Sequence, residues 1–248
     1  MRTLYGLSQS PWTEKARWGL DHHSVAYRYH EHIPVLGEVF LRMKARSRPS
    51  GTKASVPLLV DGDDAKCSSY AIARHADSIG RGESLFPTEK ADLVTKWADA
   101  SDVVIEAARV WVLEGLLSNR DAQLEALPPF IPGFLRPAMT PVAKSASWFL
   151  GSKYGVKREA DARAAGDAKV RAVLDDVRST LAGKPYLLGE LTFADVAIAA
   201  SLQALRPRKD KRLGPATREI WQNEALASDY GDLLEWRDAV YKKHRPGA

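Results

Sequence analysis

Residues 3–20 read Thr3-Leu4-Tyr5-Gly6-Leu7-Ser8-Gln9-Ser10-Pro11-Trp12-Thr13-Glu14-Lys15-Ala16-Arg17-Trp18-Gly19-Leu20, and this stretch decides the fold. Arg2–Leu7, with Leu4 and Tyr5 inside it, predicts a short strand. From Ser10 the period changes: Trp12, Ala16 and Leu20 fall on one face of a helix. Proline at the first helical position behind a serine is a common way to start one. The chain to residue 80 continues the alternation. Val25–Glu31 alternates Val, Tyr and Tyr with smaller or polar residues and predicts a second strand. Val35–Ala45 predicts a second helix. A loop over 47–55 leads into Val56-Pro57-Leu58-Leu59-Val60, an Asp61-Gly62 turn and a further short strand ending near Cys67. Ser69–Ile79, with Ile72, His75, Ala76 and Ile79 on one side, predicts a third helix. The expected order over 1–80 is β-α-β-α-β-β-α.

Residues 81–89 are rich in chain breakers and read as a linker. Beyond them, over 90–248, only helical periodicity is found. Leu93, Trp97, Ser101, Val104, Ala108, Trp111 and Gly115 follow it, as do Val170, Val173, Leu174, Val177 and Leu181. Pro128, Pro129, Pro132, Pro137 and Pro141 interrupt the bundle. The segment Leu127–Tyr154 is longer than an ordinary connection and is expected to form a lid or wall over a pocket.

The 248 residues are 45% hydrophobic and 27% charged, the balance of a globular chain of one or two domains. Cys67 is the single cysteine, which excludes an internal disulfide and a multi-cysteine zinc site and suits a reducing, cytoplasmic compartment. The N-terminus lacks the apolar core of a secretory signal. The most apolar stretch, Val103–Leu117, is broken by Glu106, Arg109 and Glu114, so no membrane span is expected. The net charge of +5 is spread along the chain. Its densest run, Arg206, Arg208, Lys209, Lys211 and Arg212, has no interleaved stacking ring, which argues against nucleic acid as a partner. Neither a Gly-rich phosphate loop nor a Gly-x-Ser-x-Gly elbow is present. His30 and His32, two apart on a strand, have no third ligand near them in sequence, so no metal is expected. His22 and His23 suit the C-terminal end of the first helix.

Ser10-Pro11-Trp12 followed by Lys15-Ala16-Arg17-Trp18-Gly19-Leu20, then Val56-Pro57, Ser68-Ser69-Tyr70-Ala71-Ile72 and Leu191-Thr192-Phe193-Ala194-Asp195 stand in an order and spacing that resembles the glutathione S-transferase superfamily. The resemblance covers nearly the whole chain. It implies an α/β thioredoxin-like N-terminal domain over 1–80, a linker over 81–89, and an all-helical domain over 90–248 that contributes the acceptor pocket.

The resemblance also implies roles. Ser10 reads from sequence as a plain helix cap. In serine-type members the residue at its place donates a hydrogen bond to the cofactor sulfur, which favours thiolate over thiol. The Val56-Pro57 bond is cis in the family, and Val56 would pair through its main chain with the thiol cofactor. Ser69 matches the family's serine at the third helix, whose N-terminus suits a carboxylate. Ser68 occupies a position that is acidic in many members, so the charge that pairs with a free γ-glutamyl amine is missing. Glutathione is the family's thiol. Ergothioneine and mycothiol would not demand that acid. Trp12 and Lys53 complete the expected thiol contacts, with Lys44, Arg46 and Arg48 as neighbouring cations. Trp111, Phe130 and Phe134 are expected to line an apolar acceptor pocket, with Met139, Trp148 and Phe149 near them. Thr192–Asp195 has capping-box spacing and a folding role. Cys67 reads as a small core residue.

The activity expected from these features is transfer of a low-molecular-weight thiol, held as thiolate near Ser10, to an electrophilic apolar acceptor, by a homodimer. A thiol-dependent isomerase or dehalogenase would use the same site. A non-catalytic ligand-binding protein is the other alternative.

Overall fold

The computed structural model describes residues 1–34, 37–48, 50–51, 53–128, 130–155, 160–209 and 213–245. The second helix expected from sequence begins on residues 35–36, and the proline-rich segment includes Pro129; these three positions lie outside the described residues.

The N-terminal unit runs β1 Thr3–Gly6, α1 Pro11–His22, β2 Arg28–Glu31, α2 Glu38–Lys44, β3 Leu58–Asp61, β4 Asp64–Lys66 and α3 Ser69–Ile79. Its sheet has the order β2-β1-β3-β4, with β1 parallel to β2 and antiparallel to β3. Alternation along the strands separates two cores. Leu4 and Leu59 pack with Ala16 and Leu20 of α1 and Ile72 and Ala76 of α3. Tyr5 and Leu58 face the other way, onto Leu41 of α2 and Ala45. The second strand is shorter than its alternation predicts. Val25 N–H donates to the Leu20 carbonyl, so residues before Arg28 close the end of α1 instead of joining the ladder. A Cβ on Gly19 would lie 2.7 Å from the Ala73 Cβ, so α1 and α3 approach as closely as they do because that side chain is absent.

The helical domain contains α4 Ala91–Ser118, α5 Arg120–Glu125, α6 Thr140–Lys153, α7 Ala160–Leu181, α8 Phe193–Ser201, α9 Pro215–Ile220, α10 Glu224–Asp229 and α11 Gly231–His244, with short 3-10 turns between some of them. Among the described residues no helix is long and apolar enough to cross a membrane. The two units share a core in which Trp18 and Ala73 meet Leu85, Phe86, Val94, Phe193, Val196 and Tyr241.

The interior of the helical domain is organised by α8, buried along its whole length. The capping box expected at Thr192–Asp195 is present. Asp195 does more than its spacing announces: its carboxylate also accepts the Leu187 N–H at 2.8 Å, tying the preceding loop to the helix start. Burial pushes the Asp195 carboxyl up to about 6, above the unfolded value near 4. The native state therefore holds this proton more tightly than the unfolded chain, and the stability this group adds at low pH fades as pH rises through about 4 to 6. Asp195→Ala orphans buried N–H groups at Leu187 and Thr192 and is expected to cost about 3 kcal/mol in urea unfolding, with the variant's stability losing that slope.

Candidate functional site

The topology brings four connections to one end of the sheet. β1 and β2 are parallel, so Leu7–Ser10 and His32 leave from the same edge. β3 is antiparallel to β1, so Val56–Pro57 enters there. β4 runs against β3, so Cys67–Ser69 leaves there too. Ser10, Val56, Ser68 and Ser69, spread over nearly sixty residues of sequence, are thus loop and cap positions at one rim.

Ser10 is the N-cap residue of α1, with extended backbone and a half-buried side chain. Its hydroxyl makes no capping hydrogen bond. Its main chain does the structural work, the carbonyl accepting from Glu14 N–H at 3.0 Å and the N–H donating to Leu7 carbonyl at 2.9 Å. The nearby hydroxyl that does hold the loop is Thr13, which accepts the Leu7 N–H at 3.1 Å. Ser68 is the opposite case: its hydroxyl accepts the Ala71 N–H at 3.0 Å and caps α3. Ser69, the first residue of α3, is buried. The Val56–Pro57 peptide bond is cis. Lys53 is exposed, three residues before Val56. Cys67 is half-buried beside the Tyr5–Leu58–Ala65 cluster, and burial pushes its thiol up, so it is a poor nucleophile. His30 lies against Tyr5 and Phe40, and His32 lies near Glu38. Among the described residues no group of His, Cys, Asp and Glu side chains is arranged to hold a metal ion.

The helical-domain wall differs from the expected one. Trp12, two residues past Ser10, donates its indole N–H to Asp102 of α4 at 2.9 Å. The same carboxylate takes the buried Lys15 ammonium at 2.5 Å, and Lys15 also donates to the Ser101 hydroxyl. Desolvation lowers the Lys15 pKa, and Asp102 opposes the shift. One helical repeat along α4, the Arg109 guanidinium lies 5.3 Å from the Trp12 ring centre and 4.7 Å from that of Tyr154, at the end of α6. Lys153 pairs with Glu38 of α2 at 2.8 Å, a direct link between the α6 end and the N-terminal unit.

Residues 102 and 109 are seven apart and share a face of α4; residue 111 falls on the opposite face. Trp111 is accordingly buried in the core with Val170, Leu174 and Ile198. It also edges a cavity of about 470 Å³ walled by Gly115, Glu219, Ile220 and Trp221, away from Ser10's helix. Phe130 and Phe134 are 68% and 82% exposed, and Trp148 is exposed as well. Of the expected lid segment, the described contacts with the rim run through Lys153 and Tyr154. Sequence reasoning missed Lys15, Asp102, Arg109 and Tyr154 as neighbours of Trp12. The available signal was Arg109 itself, the one cation among the three charges that break the run Val103–Leu117.

Two family models match: the N-terminal domain of glutathione S-transferases over residues 4–84 and the C-terminal domain over residues 160–239. The chain belongs to the glutathione S-transferase superfamily. No curated protein matches it in sequence. A glutathione S-transferase from Methylobacillus flagellatus KT with glutathione bound is similar in structure at 17% identity, with TM-score 0.65 over 98% of this chain and 95% of that one. A family member from Pseudomonas fluorescens Pf-5 with bound S-(propanoic acid)-glutathione gives 13% identity and TM-score 0.60, covering 99% and 96% of the two chains. A theta-class enzyme from Xanthomonas axonopodis pv. citri with glutathione bound gives 18% identity and TM-score 0.61, covering 99% and 93%.

The Lys15–Asp102 pair ties α1 to α4. Asp102→Asn leaves a buried ammonium without its countercharge and is expected to cost about 2 kcal/mol, discounted because Asp102 is half-exposed. Lys15→Met removes the buried charge and is expected to cost less. In urea unfolding the double variant should lose less than the sum of the two.

Proposed function

We propose that the protein is a glutathione transferase: it binds glutathione at the sheet rim, holds its sulfur as thiolate beside Ser10, and transfers it to an electrophilic acceptor placed against α4 and α6. The observation that carries this reading is the Ser10 hydroxyl, which stands at the N-terminus of α1 without the capping bond its position would ordinarily give it. A hydroxyl left free there can donate to sulfur, while the unpaired N–H groups of the first turn favour the anion. Val56, ahead of the cis bond, offers main-chain groups to the cysteinyl part. Ser69 and the start of α3 suit a carboxylate. The bound ligands of the Methylobacillus and Pseudomonas proteins support glutathione as the thiol. The chemistry is the cofactor's: the protein supplies binding, orientation and a lowered thiol pKa. A homodimer is part of this proposal, by family likeness.

Ser68 favours a second reading of the thiol. Its hydroxyl is neutral and already accepts the Ala71 N–H, so it supplies no charge to pair with a free amine. Parallel calorimetric titration with glutathione, ergothioneine and mycothiol separates the readings: tight glutathione binding supports the first, and selective binding of either other thiol reassigns the cofactor. Binding of none supports a non-catalytic ligand-binding protein.

Ser10→Ala is expected to raise the pKa of the bound thiol by about two units and to cut kcat/KM roughly 100-fold near neutral pH. The ultraviolet absorbance of bound thiolate, followed against pH, checks this. An unchanged titration sinks Ser10 as the sulfur donor.

A further inference from the structure

Arg109 carries the inference that goes furthest. Its guanidinium is flanked by the Trp12 and Tyr154 rings at 5.3 and 4.7 Å. Its Nε is buried and has no hydrogen-bond partner among the described residues. The three cations of this cluster are disposed differently. Lys15 is paired with Asp102, and Lys153 with Glu38. Arg109 has no ion pair with a carboxylate among the described residues: Asp102, two turns back on α4, is shared by Trp12 and Lys15, and Glu106, three residues back, is exposed and not paired with it. Ring contacts engage the charge of a guanidinium and leave its N–H donors unspent. A buried donor without a partner in a folded protein calls for one, and a planar fork of donors fits a planar oxyanion.

We infer that Arg109 is the anion-recognising residue of the acceptor site, and that the electrophiles this protein handles carry a carboxylate or comparable planar anionic group next to an aromatic or otherwise flat body. The flat body would stack on the exposed part of the Trp12–Tyr154 wall, and the anion would take the Arg109 donors. The inference rests on the transferase reading for its site but not for its ligand chemistry. Arg109 belongs to the helical-domain wall, whereas the thiol's expected partners Val56 and Ser69 lie on the sheet side of Ser10, so the cation is assigned to the acceptor and not to the thiol peptide.

The test needs no turnover in its first arm. Wild-type protein is titrated with dinitrobenzoate and with dinitrobenzene, two flat rings that differ by the carboxylate. Wild type is expected to bind the benzoate at least tenfold more tightly. In Arg109→Gln the two affinities should come within about twofold, and Arg109→Lys, which keeps the charge and loses the fork, should fall between. Equal wild-type affinities, or a preference that survives in Arg109→Gln, overturn the inference. So does a loss confined to glutathione affinity, which would place the cation on the thiol. In the second arm the chlorinated partners of the same pair are offered with glutathione. Its thiolate forms the C–S bond at the chlorine-bearing carbon, and chloride leaves with the C–Cl electron pair. The kcat/KM ratio of benzoate over benzene should fall at least tenfold in Arg109→Gln. Absence of turnover with the binding preference intact counts against the transferase reading and supports the anion site.

Discussion

Everything at the rim depends on how α1 is held. The helix is buried on two sides, with Ala16 and Leu20 against the sheet and Trp18 against the helical domain. Between those faces it carries two ionised residues, Glu14 and Lys15, at 3% and 1% exposure. Such charges are costly to bury unless they are paired. Glu14 receives the Arg245 guanidinium at 2.8 Å from the end of α11, and Arg245 also reaches Asp21. Lys15 receives Asp102 from α4. The two pairs fix the helical domain along and across α1, since sliding either domain by one turn would leave buried charges unpaired. Nonpolar contacts alone, being non-directional, would not set that register so sharply.

One consequence is that the start of α1 is positioned from two domains at once. The strand order places Ser10 at the sheet rim, and the Trp12–Asp102 hydrogen bond places the same helical turn against α4. A reacting sulfur beside Ser10 would therefore meet a wall built by the helical domain within the first turn of its own helix. Proximity of this kind is the main thing a scaffold contributes when the nucleophile belongs to a cofactor.

The order of elements in residues 1–80 was legible because each element is decided locally: alternation for strands, helical recurrence for α1 and α3, Asp61-Gly62 for the hairpin. The shortening of β2 was not. Val25 and Tyr27 keep a strand-like alternation, yet the Ser24 and Val25 N–H groups are taken by the end of α1, a competition that the pattern of side chains does not record. On the site the division is similar. The places of Ser10, Val56 and Ser69 at the starts of α1, β3 and α3 were readable because they belong to short motifs at element boundaries. The pairing of Trp12 with residues 102 and 109 was not, because contacts about ninety residues apart leave no period in the chain. Trp111, expected at the acceptor pocket, packs in the core half a turn from the face of α4 that meets α1, a rotation that helical period alone does not fix. Arg109, one of three charges in the apolar run of α4, was the readable mark of that face, since a partly buried charge needs a reason to be there.

The two serine caps show how one residue type is used in two ways by local geometry. At α3, the Ser68 hydroxyl accepts the Ala71 N–H, which completes the cap and ties that hydroxyl to the helix's own backbone. At α1, Pro11 occupies the first helical position, Thr13 braces the Leu7 amide, and the Ser10 main chain closes the turn, so the fold is complete without the Ser10 hydroxyl. A group that the fold does not need, at the positive end of a helix, is available for chemistry at no cost to the helix's own hydrogen bonds. The same logic applies on α4 to Arg109, whose neighbours hold its position through ring contacts while its buried Nε donor stays unspent. The two ends of the proposed reaction, thiolate and acceptor, are thus each met by a side chain that the architecture positions but does not use.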